Sequence, residues 1–175
     1  MSKLMQKSIP KSIHEPQERI DIELKVNGKL VNAKVLARTH LVDFLREDLG
    51  LTGAHLGCEQ GVCGACTILL DGALVRGCLV LAAQADGTEI ETIEGAFQSG
   101  RLQSLIDAFQ QCNAAQCGFC SPAMLLTAGE LLTRNSKPSR EEIREQISGN
   151  YCRCTGYQAI VNAVESCFTN GGTHD

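Results

Sequence analysis

The sequence predicts an α+β chain, a small sheet domain followed by an all-helical one. Three observations predict it. Apolar residues recur at every second position in the first part of the chain, the period of a half-buried strand. Towards the C-terminus they recur instead with the 3.6-residue period of amphipathic helices. Asn27-Gly28 and Asp71-Gly72, dipeptides that favour two-residue hairpin turns, both fall in the first part. At 175 residues, 43% hydrophobic and 21% charged, the composition is globular and allows one or two small domains.

Ile20, Ile22, Leu24 and Val26 alternate with polar residues and predict the first strand. After the Asn27-Gly28 turn, Val31, Ala33 and Val35 alternate on the returning strand. Thr39 is placed to cap a short helix reaching Leu49, with Leu41, Phe44, Leu45 and Asp48-Leu49 marking its inner side and Gly50 as its stop. Thr67–Leu70 and Ala73 to Val75 flank the second turn, and Glu89 to Ile93 adds a short strand. A low-periodicity stretch from Glu94 to Gly100 reads as a linker. It divides a domain at 19–95 from one at 96–170, with 1–18 as a flexible leader and 171–175 as a tail.

Beyond the linker, Leu102, Leu105, Ile106 and Phe109 stripe a first helix. Ser121-Pro122 reads as cap and first residue of a second, with Leu125, Ala128 and Leu132 on one face. Ser139 and Glu142 match a capping box at the start of a third, which carries Ile143 and Ile147 and stops at Gly149. Ile160, Val161, Val164 and Phe168 stripe a fourth. Short connections between them predict a four-helix bundle.

Ten cysteines are the chemical signal, and eight fall into two sets. Cys58, Cys63 and Cys66 stand at C-x4-C-x2-C spacing in a loop with Gly57, Gly61 and Gly64, and Cys78 follows. This is the plant-type ligand pattern for a [2Fe–2S] cluster, and thiolates are the soft ligands such clusters select. Glycines let the loop curl so that backbone N–H groups face an anion. A structural zinc site is the alternative, but the Cys58–Cys63 interval is wider than the usual zinc knuckle. Hairpin, helix, ligand loop and second hairpin are the element order of a β-grasp, plant-type ferredoxin-like domain.

The second set lies at predicted helix ends. Cys117 and Cys120 precede the second helix, and Cys152 and Cys154 lie between the third and fourth. Cys120 stands at the positive end of a helix dipole, which suits an anionic cluster. Read alone, this set is compatible with an iron–sulfur cluster, a zinc site or two disulfides; beside the first set it reads as a second cluster. His55 reads as a loop residue, since four cysteines already supply the first set, and Cys112 and Cys167 read as small apolar thiols.

Other classes are disfavoured. A net charge of −4 argues against a nucleic-acid surface. No apolar run reaches the ~18–20 residues of a membrane helix. The leader has neither an apolar core nor an Arg-Arg pair, so no signal peptide is expected, and clustered cysteines without one suggest ligation in a reducing cytoplasm. No acid–base pair, activated nucleophile or phosphate loop is evident.

Three motifs in order carry a resemblance. They are Gly57 to Cys66 with Cys78, then Gln116-Cys117-Gly118-Phe119-Cys120-Ser121-Pro122, then Asn150-Tyr151-Cys152-Arg153-Cys154-Thr155-Gly156-Tyr157. From about Ile20 to about Phe168 the chain resembles the small iron–sulfur subunit of the molybdenum hydroxylases, the xanthine oxidase and aerobic carbon monoxide dehydrogenase family. It departs at Ala123, where the family commonly has glycine. The resemblance implies two [2Fe–2S] clusters, one on Cys58, Cys63, Cys66 and Cys78 and one on Cys117, Cys120, Cys152 and Cys154. It implies a large subunit carrying molybdenum on a molybdopterin dinucleotide, a medium subunit carrying FAD, and a dimer of heterotrimers. Electrons would pass from molybdenum through the C-terminal cluster, then the N-terminal one, to flavin. Gln116 would hydrogen-bond the pterin; on its own it reads equally as a polar residue at a helix end. A two-zinc structural module and a free-standing ferredoxin are the rival readings.

Overall fold

The computed structural model describes residues 17–169. The expected tail, and the leader except Gln17 and Glu18, lie outside them. Strands β1 (Arg19–Val26) and β2 (Lys29–Leu36) pair antiparallel from Arg19↔Leu36 to Val26↔Lys29. The turn between them needs left-handed backbone at both residues, and Asn27 (φ 49°) and Gly28 (φ 78°) supply it. Strands β3 (Thr67–Leu70) and β4 (Ala73–Arg76) form the second hairpin, with Asp71 at φ 48° and Gly72 at φ 78°. Strand β5 (Glu89–Glu91) lies between the hairpins, parallel to β1 and antiparallel to β3. The mixed sheet therefore runs β2-β1-β5-β3-β4.

Ile22, Leu24, Val26, Ile68 and Ile90 bury one face of this sheet against Leu41, Val42, Phe44 and Leu45. The helix they meet starts later than Thr39. Helix α1 (Leu41–Asp43) begins after His40, and Thr39 instead offers its carbonyl to the Ala82 N–H at 2.8 Å. It then widens into a π-helical turn (Phe44–Asp48), in which the Leu49 N–H reaches back to the Phe44 carbonyl. Gly50, at φ 69°, follows directly after the helix end.

The stretch read as a linker is partly helical. Helix α2 (Ile93–Gln98) follows Thr92, whose hydroxyl donates to the Glu94 carboxylate at 2.6 Å. Only Ala96 of this helix is fully buried, and six residues with one inward position leave no readable period. Helices α3 (Gln103–Gln111), α4 (Ser121–Arg134), α5 (Arg140–Ile147) and α6 (Gln158–Thr169) follow. The cap of α4 is Cys120, one residue before the serine expected to hold that position. The capping box of α5 is present: Ser139 Oγ accepts from the Glu142 N–H, and the Glu142 carboxylate accepts from the Ser139 N–H. Ser148, one residue before the expected Gly149, ends α5.

Helix α4 is the centre of the second half, touched by α2, α3, α5, β3 and β4. Met124, Leu126, Thr127, Ala128, Gly129 and Leu131 are all buried, while Leu125 and Leu132 of the predicted stripe are only partly so. A helix surrounded on most sides has no single apolar face, which is why the stripe misplaced its inner side. The helical core also takes Leu69 of β3, whereas Ile68 and Leu70 face the sheet core. Alternation along β3 thus joins the two halves through one strand.

Candidate metal centres

The first set is assembled by the β3–β4 hairpin and the loop before it. Pairing of Thr67 with Arg76 places Cys66 and Cys78 just beyond the same end of the hairpin, and the Gly77 N–H closes on the Cys66 carbonyl at 3.1 Å. Both cysteines are buried and their thiols touch. Burial, with Cys78 alongside, pushes the Cys66 thiol up to about 11. Cys58 and Cys63 form the other pair. The N–H groups of Cys63 and Gln60 approach the Cys58 sulfur at 3.4 and 3.5 Å and lower it to about 7. Gly61 (φ 74°) and Gly64 (φ 72°) curl the loop; a Cβ on either would collide, with Leu79 and with the Gly149 carbonyl oxygen respectively.

The second set also forms two pairs. The Cys154 and Cys117 sulfurs lie 3.6 Å apart, and the Cys120 and Cys152 thiols touch. Burial, then Cys152, pushes Cys120 up to about 12. Burial also pushes on Cys152, but bonds from Thr155, with the two sulfur and hydroxyl atoms 3.1 Å apart, outweigh it and leave the thiol lowered. Antiparallel α4 and α5 therefore achieve the meeting of loops that the sequence required.

The donor chemistry fits an iron–sulfur group. In each set the thiols lie within interaction range of one another, an all-sulfur donor set of the kind that iron–sulfur clusters take. Buried thiols held high release their protons to solvent when a bound cation stabilises the thiolates, and the N–H groups aimed at Cys58 favour its thiolate.

A polar seam between the sets escaped the sequence reading. The Tyr151 N–H donates to the Cys63 carbonyl at 2.8 Å. Asn150, fully buried, donates from Nδ2 to the Gly64 carbonyl (3.0 Å) and Thr67 Oγ1 (3.2 Å), and its Oδ1 accepts from the Thr127 hydroxyl. Arg76 bonds Thr67 and the Gly149 carbonyl. Asn150→Ala would strand these partners in a buried site, so a loss of about 2–3 kcal/mol is expected. Chemical denaturation checks it; an unchanged midpoint would remove the seam from the stability account.

His55 is held by a residue of the second half of the chain. Its Nδ1 donates to the Phe119 carbonyl at 2.8 Å and its ring stacks on Phe119, centroids 4.6 Å apart at 15°. Gln116 is exposed immediately before Cys117. Cys112 and Cys167 pack at the helical core outside both sets, and burial raises Cys167 to about 11.

Two thiol sets on a mixed sheet and a helical layer define a protein of the iron–sulfur class. A family model described as a 2Fe-2S iron-sulfur cluster binding domain matches residues 24–92, and one described as a [2Fe-2S] binding domain matches residues 92–165. The nicotine 6-hydroxylase small subunit of Paenarthrobacter nicotinovorans is 54% identical over 85% of this chain and 90% of its own length. The caffeine dehydrogenase subunit gamma of Pseudomonas sp. (strain CBB1) is 53% identical over 83% and 89%. Quinoline 2-oxidoreductase from Pseudomonas putida 86 superposes with a TM-score of 0.81 at 50% identity, over 89% of this chain and 99% of that one. The chain belongs to the small iron–sulfur subunits of the molybdenum hydroxylases. It is accordingly a subunit of an oxidoreductase, as its relatives are.

Proposed function

We propose that this chain is the electron conduit of a molybdenum hydroxylase, with one [2Fe–2S] cluster in each thiol set. Cys58, Cys63, Cys66 and Cys78 would hold the first, within a unit at 19–95; Cys117, Cys120, Cys152 and Cys154 would hold the second, within a unit at 96–170. When bound, the clusters supply one-electron transfer. The chain's own residues hold the two sets at a constant separation, direct N–H groups at sulfur and limit water around Cys66 and Cys78. The observation that carries this reading is the Tyr151 N–H bond to the Cys63 carbonyl, which joins the residue before Cys152 to a residue of the first set.

The donor would be a large subunit with molybdenum on a pterin dinucleotide, and the acceptor a medium subunit with FAD, in a cytoplasmic dimer of heterotrimers. Exposed Val62 and Leu79 beside the first set support docking of a partner there. The exposed Gln116 amide can both donate to and accept from a pterin edge. Among the described residues no helix is long and apolar enough to cross a membrane. Nicotine, caffeine and quinoline in the relatives' names make nitrogen heterocycles the first substrate class to try on the complex.

EPR and metal analysis of the dithionite-reduced complex test the reading. Two distinct S = 1/2 signals and about four irons per chain are expected, with molybdenum and flavin in the same peak. A silent spectrum with two zincs per chain would replace it by a structural module.

A further inference from the structure

We infer that His55 and Phe119 form a clamp that sets the spacing between the two thiol sets, and so the coupling across which an electron passes. The inference rests on the proposed two-cluster reading. Phe119 lies between Cys117 and Cys120, and His55 lies three residues before Cys58. Two independent contacts join them: the ring stack and the hydrogen bond from Nδ1 to the Phe119 carbonyl. A carbonyl oxygen only accepts, so the proton is on Nδ1.

The ring of Phe119 reaches further than His55. A Cβ built on Gly57 would lie 3.2 Å from the Cys63 sulfur and 3.4 Å from Phe119 Cε1, so the aromatic edge and that sulfur flank the same glycine. Phe119 thus reaches from the backbone between two thiols of the second set to Gly57, the residue before Cys58 of the first. The bonds of Asn150, Tyr151 and Arg76 secure a different loop, the one that carries Cys152 and Cys154. Among the described residues, the His55–Phe119 pair ties the Cys117–Cys120 loop to the loop of the first set. Gly118 at φ 84° leaves that loop curved, with the Ser121 N–H on the Gly118 carbonyl as its internal bond.

The step concerned moves one electron and makes or breaks no bond. With clusters bound, the one that Cys117, Cys120, Cys152 and Cys154 would hold would lose one electron and the one that Cys58, Cys63, Cys66 and Cys78 would hold would gain it. Neither His55 nor Phe119 gains or loses an electron or a proton overall. Both are positioning residues.

The test uses the complex purified with its partner subunits, as wild type and with Phe119→Tyr, Phe119→Leu and His55→Gln. Phe119→Tyr keeps the ring, Phe119→Leu keeps apolar bulk without it, and His55→Gln keeps a donor for the carbonyl without the stack. Iron content, the two EPR signals and their spin–spin splitting in the dithionite-reduced state are measured together. The expected result is full iron and both signals in every variant. The splitting is retained in Phe119→Tyr, and is lost or broadened in Phe119→Leu and His55→Gln. Unchanged splitting in the latter two would overturn the clamp, as would loss of iron from them, which would make the pair a mere support of ligand binding. A wild-type complex without two signals would instead defeat the two-cluster reading itself.

Discussion

Cys63→Ser is expected to remove one cluster and leave the other, lowering iron by about two per chain and deleting one of two EPR signals. Cys120→Ser should delete the complementary signal. A serine oxygen is a harder donor than thiolate and disfavours the iron–sulfur core. The two changes are separable because the sets share no thiol: Cys63 touches Cys58, while Cys120 touches Cys152 in loops joined to the first set only by hydrogen bonds and packing. Electron flow through the complex should fall to background in both variants if the sets act in series, as proposed. Iron and EPR on the co-purified complex check it. Unchanged iron in either variant would exclude that cysteine as a ligand.

Gly64→Ala should have the largest effect on folding of any single methyl addition at the site. Gly64 is at φ 72°, where an alanine costs about 1–2 kcal/mol. The added Cβ would also collide with the Gly149 carbonyl oxygen and stand 2.9 Å from Asn150 Nδ2. Backbone on the far side cannot rotate away as a side chain tip can, because the Arg76 guanidinium holds the same carbonyl. Together the strain and the parting of the loops should cost about 3–5 kcal/mol, lowering the melting temperature by about 10 °C. Gly72→Ala is the control: its φ is 78° but nothing lies within 4 Å of its Cβ, so only the backbone strain remains. Equal melting temperatures for the two variants would show that the packing at Gly149 is not tight.

The grouping of thiols within each loop was legible because it is written in local spacing. Cys58, Cys63 and Cys66 share one loop, and Cys117 and Cys120 one short segment, so few residues separate the donors that must meet. Hairpin turns were legible for a similar reason: Asn27-Gly28 and Asp71-Gly72 tolerate left-handed backbone whatever surrounds them. Helix α5 was readable from the reciprocal bonds of Ser139 and Glu142, which lie within one turn.

Failures came where the decisive partner was remote. Helix α4 lost its predicted inner face because strands and helices from four other regions cover it. Helix α2 was missed since only Ala96 marks it as buried. Thr39 was read as a cap, but Ala82, far along the chain, claims its carbonyl.

The sequence by itself thus determined the donor chemistry, the strand-then-helix order and the grouping of Cys58, Cys63 and Cys66 in one loop. Each depends on donor type or on interactions within a few residues. Only the tertiary structure decided how the two sets face each other. The seam of Asn150, Arg76 and Tyr151, the His55–Phe119 stack and the double-sided burial of β3 join residues tens of positions apart. No local period or spacing encodes such contacts, because they arise when separate elements pack against one another.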